Sequence, residues 1–134
     1  MKSSPQIYVK GSLEAAALYR NAFALTDGMT ALNEDGTYEH VSLMCGETEI
    51  IAIAEDRLDL HCDRIVGDKI TVMAFNVYEL GTREAVDRAY AVLSAEARVN
   101  ENPDGPACPF WDEEGEEYWF GLVDKFGVYW GVGK

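Results

Sequence analysis

The chain has 134 residues, the size of one ordinary domain, with 48% hydrophobic and 26% charged residues. It carries 11 Lys and Arg against 24 Asp and Glu, a formal net charge of -13. No window supplies the basic surface that DNA, RNA or an anionic membrane would require. The composition therefore predicts a globular protein and excludes nucleic-acid and membrane partners.

In the first half, apolar periodicity and turn residues predict the order β-α-β-β-β. The predicted elements are a strand at 6–9, a helix from 12 to about 25, and strands at 29–32, 38–45 and 48–54. Ser12 is the expected N-cap of the helix, and Glu14 places a carboxylate in its first turn. Ala16, Tyr19 and Phe23 follow helical spacing and form its apolar face.

The second half repeats this order after a polar connector at residues 57–69. A strand at 70–77, a helix opening at Thr82, a long loop at 100–109, and strands at 117–124 and 128–132 are predicted. Val9 matches Val77 at an offset of 68 residues, and Leu43 matches Leu122 at 79. We predict one α+β domain, residues 1–134, of two β-α-β-β-β modules forming a curved mixed sheet around a pocket. Module 1 spans about 1–56 and module 2 about 70–134.

The N-terminal segment and the cysteines indicate the compartment. Residues 1–6 lack a secretory apolar region, and apolar runs such as 50–54 are far shorter than the ~20 residues that span a bilayer. Cys45, Cys62 and Cys108 cannot all pair within the chain, and their spacing matches no zinc motif. We expect reduced thiols in a cytoplasmic protein.

Four segments carry a resemblance to a known family. They are SPQIYV at 4–9, EAA with YRNAF at 14–23, HVSL at 40–43 and YWFGLVDKFGVYW at 118–130. They resemble the PhnB-like branch of the vicinal oxygen chelate superfamily, which includes glyoxalase I, bleomycin- and fosfomycin-resistance proteins and extradiol dioxygenases. The most specific element is the closing Asp-Lys-Phe-Gly-Val-x-Trp run. The resemblance implies a glyoxalase-like fold and a homodimer.

The superfamily's enzymes hold a divalent metal through one ligand from the first strand and one from the last strand of each half. The matching positions here are Ser4, Ala52, Val72 and Gly131. This set has no imidazole and no carboxylate, and alanine, valine and glycine cannot bind a metal. A register shift of one residue would bring Gln6 or Glu49 nearer, without assembling three good ligands. We predict no cofactor, and a divalent metal is disfavoured.

Strand alternation predicts which side chains face the pocket. In the strand at 38–45, one face should pack on the helix and consists of Val41, Leu43 and Cys45. The opposite face then points toward the pocket and consists of Tyr38, His40, Ser42 and Met44. The predicted ligand-binding residues are Gln6, Tyr8, His40, Ser42, Asn76, Trp111, Trp119 and Tyr129. This aromatic, almost uncharged lining suits a small organic ligand with flat or apolar surface.

Individual residues leave alternatives open. His40 is the candidate catalytic residue because an imidazole titrates near neutral pH; equally, it is a half-buried histidine bonded to a neighbouring strand or to Glu39. Trp111 either closes over a ligand or packs against a partner subunit. The run at 61–63, His-Cys-Asp, offers metal-ligand types within the connector. Asp124 is interpreted as a turn residue whose carboxylate accepts backbone N–H groups.

Two functions of different classes fit these residues. The favoured one is a small-molecule binding protein of the bleomycin-resistance type that lacks the family's metal and acts by sequestration. The alternative is a lyase, isomerase or oxygenase. It would use a non-standard metal site around His40, or metal-free acid-base chemistry by His40 with Tyr8 or Tyr129. In a third hypothesis the pocket is collapsed and the fold serves only assembly.

Overall fold

The computed structural model describes residues 3, 5–57, 65–66, 69–70, 73–108, 112 and 115–134. The chain divides into two compact units, Met1–Cys62 and Asp63–Lys134. Each unit holds a four-stranded mixed sheet. No helix in the described ranges is long and apolar enough to cross a bilayer.

The first unit follows the predicted order. Its elements are β1 Gln6–Val9, α1 Ser12–Phe23, β2 Thr26–Leu32, β3 Tyr38–Cys45 and β4 Thr48–Glu55. The sheet order is β1-β4-β3-β2, with β1 parallel to β4 and the other pairs antiparallel. Ile7, Val9, Val41, Leu43 and Ile53 are buried on the side that packs against α1. The sheet's other face carries the alternate residues.

The second unit repeats the same path. Its elements are β5 Ile65–Val66, β6 Lys69–Ile70, β7 Ala74–Val77, α2 Arg83–Leu93, a 3-10 turn at Ser94–Glu96, β8 Val99–Asn100, β9 Trp119–Val123 and β10 Tyr129–Gly133. The order β7-β10-β9-β8, with β7 parallel to β10, matches the first unit strand for strand. The prediction of an α+β fold with two β-α-β-β-β modules is therefore confirmed.

Strand pairing gives a structural match between the halves. Asn76 lies beside Gly131 in the second sheet, and Tyr8 lies beside Ala54 in the first. Pairing of the last two strands agrees with the sequence offset of 79, because Ser42 lies beside Ala52 as Gly121 lies beside Gly131. Aligning Val9 with Val77 along the first strands matches Gly131 to Ala54 instead. Either alanine lacks an atom that could bind a metal.

Two local predictions were wrong. Cys45 is exposed and does not pack on the helix, because the β3/β4 register shifts between Leu43 and Met44 and breaks the alternation there. Ser12 is not the N-cap of α1 but its first residue, and Gly11, in left-handed conformation, occupies the cap position. The Ser12 hydroxyl instead accepts the backbone N–H of Tyr38 at 3.0 Å.

Candidate functional site

A chain of hydrogen bonds crosses the face of the first sheet opposite α1. The Gln6 amide oxygen lies 2.8 Å from Nδ1 of His40, and Nε2 of His40 lies 3.0 Å from Oγ of Ser42. The Ser42 hydroxyl donates to Oε2 of Glu49 at 2.8 Å. Of the predicted ligand-binding residues, Gln6, His40 and Ser42 are thus brought together.

Strand geometry explains this chain. His40 and Ser42 alternate along β3 and therefore share a face, while β4 lies between β1 and β3 and bears the small Ala52 and Ala54 on that face. Small side chains on β4 leave room for Gln6 and His40 to meet across it. The register shift at Met44 pairs that residue with Glu49, two positions from Ser42.

A cavity of about 590 Å³ opens on this face. Its lining consists of Gln6, Tyr8, Met29, Ala31, Asn33, Glu39, His40, Ala54, Glu55 and Arg57. The predicted residues Gln6, Tyr8 and His40 line it, whereas Ser42, 3% exposed, stands behind His40. Two carboxylates and a guanidinium also belong to the wall, so this lining is more charged and less aromatic than the sequence predicted.

Glu55 joins the cavity wall to the start of α1. Its carboxylate accepts the backbone N–H groups of Gly11 at 3.0 Å and Ser12 at 2.7 Å. Burial acts to raise the pKa of Glu55, but these hydrogen bonds outweigh it and hold the pKa below the ordinary value. The residue takes the capping role that the sequence assigned to Ser12.

Tyr38 lies outside the cavity lining, contrary to its predicted place. Its hydroxyl accepts a hydrogen bond from the Arg20 guanidinium of α1 at 2.9 Å. An irregularity in the β2/β3 register next to it, between Ala31 and Leu32, disturbs the alternation on which the prediction depended.

In the second unit, a separate polar group lies on the face of the sheet opposite α2. The Tyr129 hydroxyl donates to Oε2 of Glu101 at 3.1 Å. Gly121 makes room for this pair, since a Cβ there would collide with the Glu101 carboxylate and lie 2.6 Å from the Tyr129 hydroxyl oxygen. A Cβ on Gly131 would lie 2.6 Å from Oδ1 of Asn76.

Glu101 also changes the acidity of its neighbour. Burial raises the pKa of Tyr129, and the Glu101 charge and hydrogen bond raise it further. The sequence predicted Glu101 to lie in a loop and indicated no role for it. In the structure Glu101 directly follows strand β8, and the Glu101 backbone N–H donates to the carbonyl oxygen of Gly121, which holds it in place. Trp119 lies on the same strand as Gly121 and on the same face.

Other predicted residues lie outside the described ranges. They are Trp111, the family ligand positions Ser4 and Val72, and the run 61–63. Among the described residues no group of three or more His, Cys, Asp or Glu side chains could hold a metal ion. In each sheet the first and last strands of the module lie side by side. The pairs Gln6–Ala52 and Asn76–Gly131 each contribute one side-chain amide as a possible metal ligand. These residues do not fit the superfamily's divalent metal.

No family model matches the sequence, and no curated protein matches it. Solved structures do. A PhnB protein from Bacillus cereus matches with a TM-score of 0.70 and 16% identity over 98% of each chain. A glyoxalase/bleomycin resistance/dioxygenase family enzyme from Burkholderia phytofirmans PsJN matches with a TM-score of 0.62 and 15% identity over 98% of this chain and 95% of that one.

The fosfomycin resistance protein FosX from Listeria monocytogenes, complexed with Mn(II) and a sulfate ion, is also similar. Its TM-score is 0.58, with 14% identity over 99% of this chain and 90% of that one. At these identities the likeness is one of fold, and it confirms at that level the resemblance found in the sequence. The chain therefore has the fold of the PhnB and glyoxalase/bleomycin resistance/dioxygenase proteins of the vicinal oxygen chelate superfamily.

Proposed function

We propose that the protein binds a small organic ligand in the cavity of its first unit. The observation that carries this proposal is the cavity itself, about 590 Å³, where polar atoms of Gln6, Tyr8 and His40 lie beside the apolar Met29 and Ala54. Sites for small molecules typically have volumes of roughly 300–1,000 Å³ and combine apolar surface with a few polar groups.

We propose further that binding needs no divalent metal. The support is chemical. Strands β1 and β4 bring Gln6, Tyr8, Ala54 and Glu55 to the cavity, and the Glu55 carboxylate already accepts the backbone N–H groups of Gly11 and Ser12. In the part of the chain that the structure describes, no group of three or more His, Cys, Asp or Glu side chains could hold a metal ion. Removing metals by dialysis against a chelator should therefore leave ligand affinity unchanged. Stoichiometric metal that is retained by the wild type and lost in His40→Ala would contradict this proposal.

Similar proteins support the class of ligand. FosX is named for resistance to fosfomycin, a small molecule. A protein of this fold that sequesters a compound without changing it would serve a comparable protective role. The family resemblance also suggests a cytoplasmic homodimer, which we include in the proposal. Size-exclusion chromatography with light scattering tests the dimer.

A second candidate is metal-free acid-base catalysis at His40. The Glu49–Ser42–His40 chain favours it, because a catalytic imidazole needs a partner that fixes its orientation. Tyr8 lines the same cavity and would serve as the second proton donor or acceptor. Conversion of a bound ligand, followed by NMR and abolished in His40→Ala, would favour catalysis over sequestration.

Binding is tested by saturation-transfer NMR with a library of aromatic compounds, followed by calorimetric titration of the hits. We expect His40→Ala and Tyr8→Ala to weaken binding about tenfold, the effect of losing one hydrogen bond with its apolar contact. Tyr78→Ala is the matched control, since Tyr78 is 72% exposed and lies outside the cavity. Equal affinity in all three variants would contradict the proposed site.

A further inference from the structure

In the hydrogen-bond chain from Gln6 through His40 and Ser42 to Glu49, counting hydrogen atoms identifies the donor at both contacts of Ser42. The Ser42 hydroxyl has one hydrogen, and it is donated to the Glu49 carboxylate. At the 3.0 Å contact between Oγ of Ser42 and Nε2 of His40, the ring must therefore be the donor. Nε2 carries a hydrogen whether the imidazole is neutral or protonated.

It follows that Nδ1 is the ring nitrogen that can accept a hydrogen bond when the imidazole is neutral. When the ring is protonated, Nδ1 donates to the Gln6 oxygen 2.8 Å away. When the ring is neutral, Nδ1 becomes an acceptor, and Gln6 can satisfy it by turning its NH2 group toward the ring. Since Gln6 and His40 both line the cavity, a ligand can take the place of the Gln6 amide.

The charges around His40 decide which ligands are favoured. Glu39 and Glu55 line the same cavity, and Glu49 stands behind Ser42. The cavity wall provides one guanidinium, that of Arg57, and Tyr8 is its remaining titratable group. Three carboxylates against one guanidinium oppose the entry of an anion, and the net charge of -13 acts in the same direction.

We propose, on the basis of the function proposed above, that the cavity selects a neutral or cationic ligand whose N–H or O–H group donates to Nδ1 of neutral His40. Phenols, amides and amines belong to this class, and carboxylates, sulfonates and phosphates do not. Ser42 and Glu49 are positioning residues, because they hold the ring with Nδ1 toward the ligand. The FosX structure, by contrast, was obtained with a sulfate ion.

The first test needs no ligand. Multiple-bond 1H–15N correlation spectra of the whole chain at about pH 8, above the ordinary imidazole value of about 6.5, report the tautomer of each histidine. The chain has two. We expect the Nε2–H form for His40 and loss of that preference in Ser42→Ala, with Ser94→Ala as an unaffected control. An Nδ1–H form in the wild type would overturn this inference and leave the proposed function standing.

The second test compares four probes on one ring system: 2-naphthol, 2-methoxynaphthalene, 2-naphthylmethylamine and 2-naphthoate. We expect the naphthol and the amine to bind about three- to tenfold more tightly than the methyl ether, with the naphthoate weakest. His40→Ala should erase the difference between naphthol and ether. Equal binding of these two to the wild type would overturn the inference and leave the proposed function standing. If none of the four binds, both are overturned.

Discussion

Asp124 is a fully buried carboxylate that holds the turn between β9 and β10 together. Its Oδ1 accepts the backbone N–H groups of Phe126 at 2.8 Å and Val128 at 3.0 Å. Its Oδ2 accepts Nε1–H of the buried Trp130 at 2.9 Å. The turn role was predicted from the sequence, and the structure adds a bond to the core that the sequence did not indicate.

Replacing this carboxylate should be costly. In Asp124→Asn an NH2 group takes the place of one accepting oxygen, so a buried N–H of the turn or of Trp130 faces another donor. Since hydrogen bonds to a charged group contribute about 1.5–3 kcal/mol, we expect the free energy of unfolding to fall by about 3 kcal/mol. Urea unfolding followed by circular dichroism measures this change.

The matched control for that variant is Asp87→Asn. Asp87 is exposed and accepts one hydrogen bond, from the Tyr118 hydroxyl at 2.6 Å. At the surface we expect a loss of less than about 0.5 kcal/mol. Similar losses in the two variants would show that the buried bonds of Asp124 do not set the stability of this turn.

At the scale of elements, the two helices begin by different devices. The N-cap of α2 is Thr82, whose hydroxyl accepts the backbone N–H of Ala85 at 3.2 Å. The start of α1 has no side-chain cap at the cap position and is bound by Glu55 of β4 instead. In the first module Glu55 lies beside Val9, the last residue of β1. In the second module the residue beside Val77, the last residue of β7, is Val132, so no carboxylate stands at the equivalent place.

This difference predicts a difference in pH dependence. The pKa of Glu55 is lowered by folding, so its stabilisation is present above the ordinary carboxyl value and is lost as the pH falls through its folded value. Glu55→Gln should cost about 1 kcal/mol near neutral pH and much less at about pH 3. Thr82→Ala should cost about 1 kcal/mol at both pH values.

Thermal unfolding of the wild type and both variants at the two pH values measures these costs. The deficit of Glu55→Gln relative to the wild type should shrink in acid, while that of Thr82→Ala should stay constant. If the Glu55→Gln deficit is the same at both pH values, the carboxylate of Glu55 does not stabilise α1 through its charge.

The same elements show what the sequence could and could not predict. Strands β1 and β3 have their predicted bounds, because alternation and flanking turn residues mark both of their ends. The alternation fails at Cys45, where a register shift that depends on pairing with β4 intervenes. Glu55 reaches the start of α1 from more than forty residues away, so no local pattern indicated it.

Strand alternation also predicted only part of the cavity lining. Gln6, Tyr8 and His40 follow from alternation along single strands, and they line it. Two of the charged members, Glu55 and Arg57, stand at and just beyond the end of β4, where a strand pattern gives no direction for the side chain. The third, Glu39, lies on β3 beside the irregularity in the β2/β3 register. A lining predicted to be almost uncharged therefore carries charges of both signs.

At the scale of the whole molecule, the net charge of -13 should weaken the folded state at low ionic strength. The described residues include ion pairs such as Arg20 with Asp27 at 2.6 Å and Lys125 with Glu96 at 2.8 Å. Both pairs are partly exposed, and surface pairs contribute about 0–1 kcal/mol each. With 24 acidic and 11 basic side chains, the chain carries an excess of 13 negative charges, and their mutual repulsion opposes compaction.

Salt should therefore stabilise the protein. Raising NaCl from about 10 mM to about 150 mM shortens the screening length from about 30 Å to about 8 Å, which removes repulsion between carboxylates on distant parts of the surface. Close ion pairs are weakened less, because their charges lie well within the shorter length. We expect the midpoint of thermal unfolding to rise by a few degrees, equally with KCl, and not with an uncharged solute of the same osmolarity at these low concentrations. A falling midpoint would mean that attractive pairs such as Arg20–Asp27 outweigh the repulsion, and that the acidic excess is balanced locally.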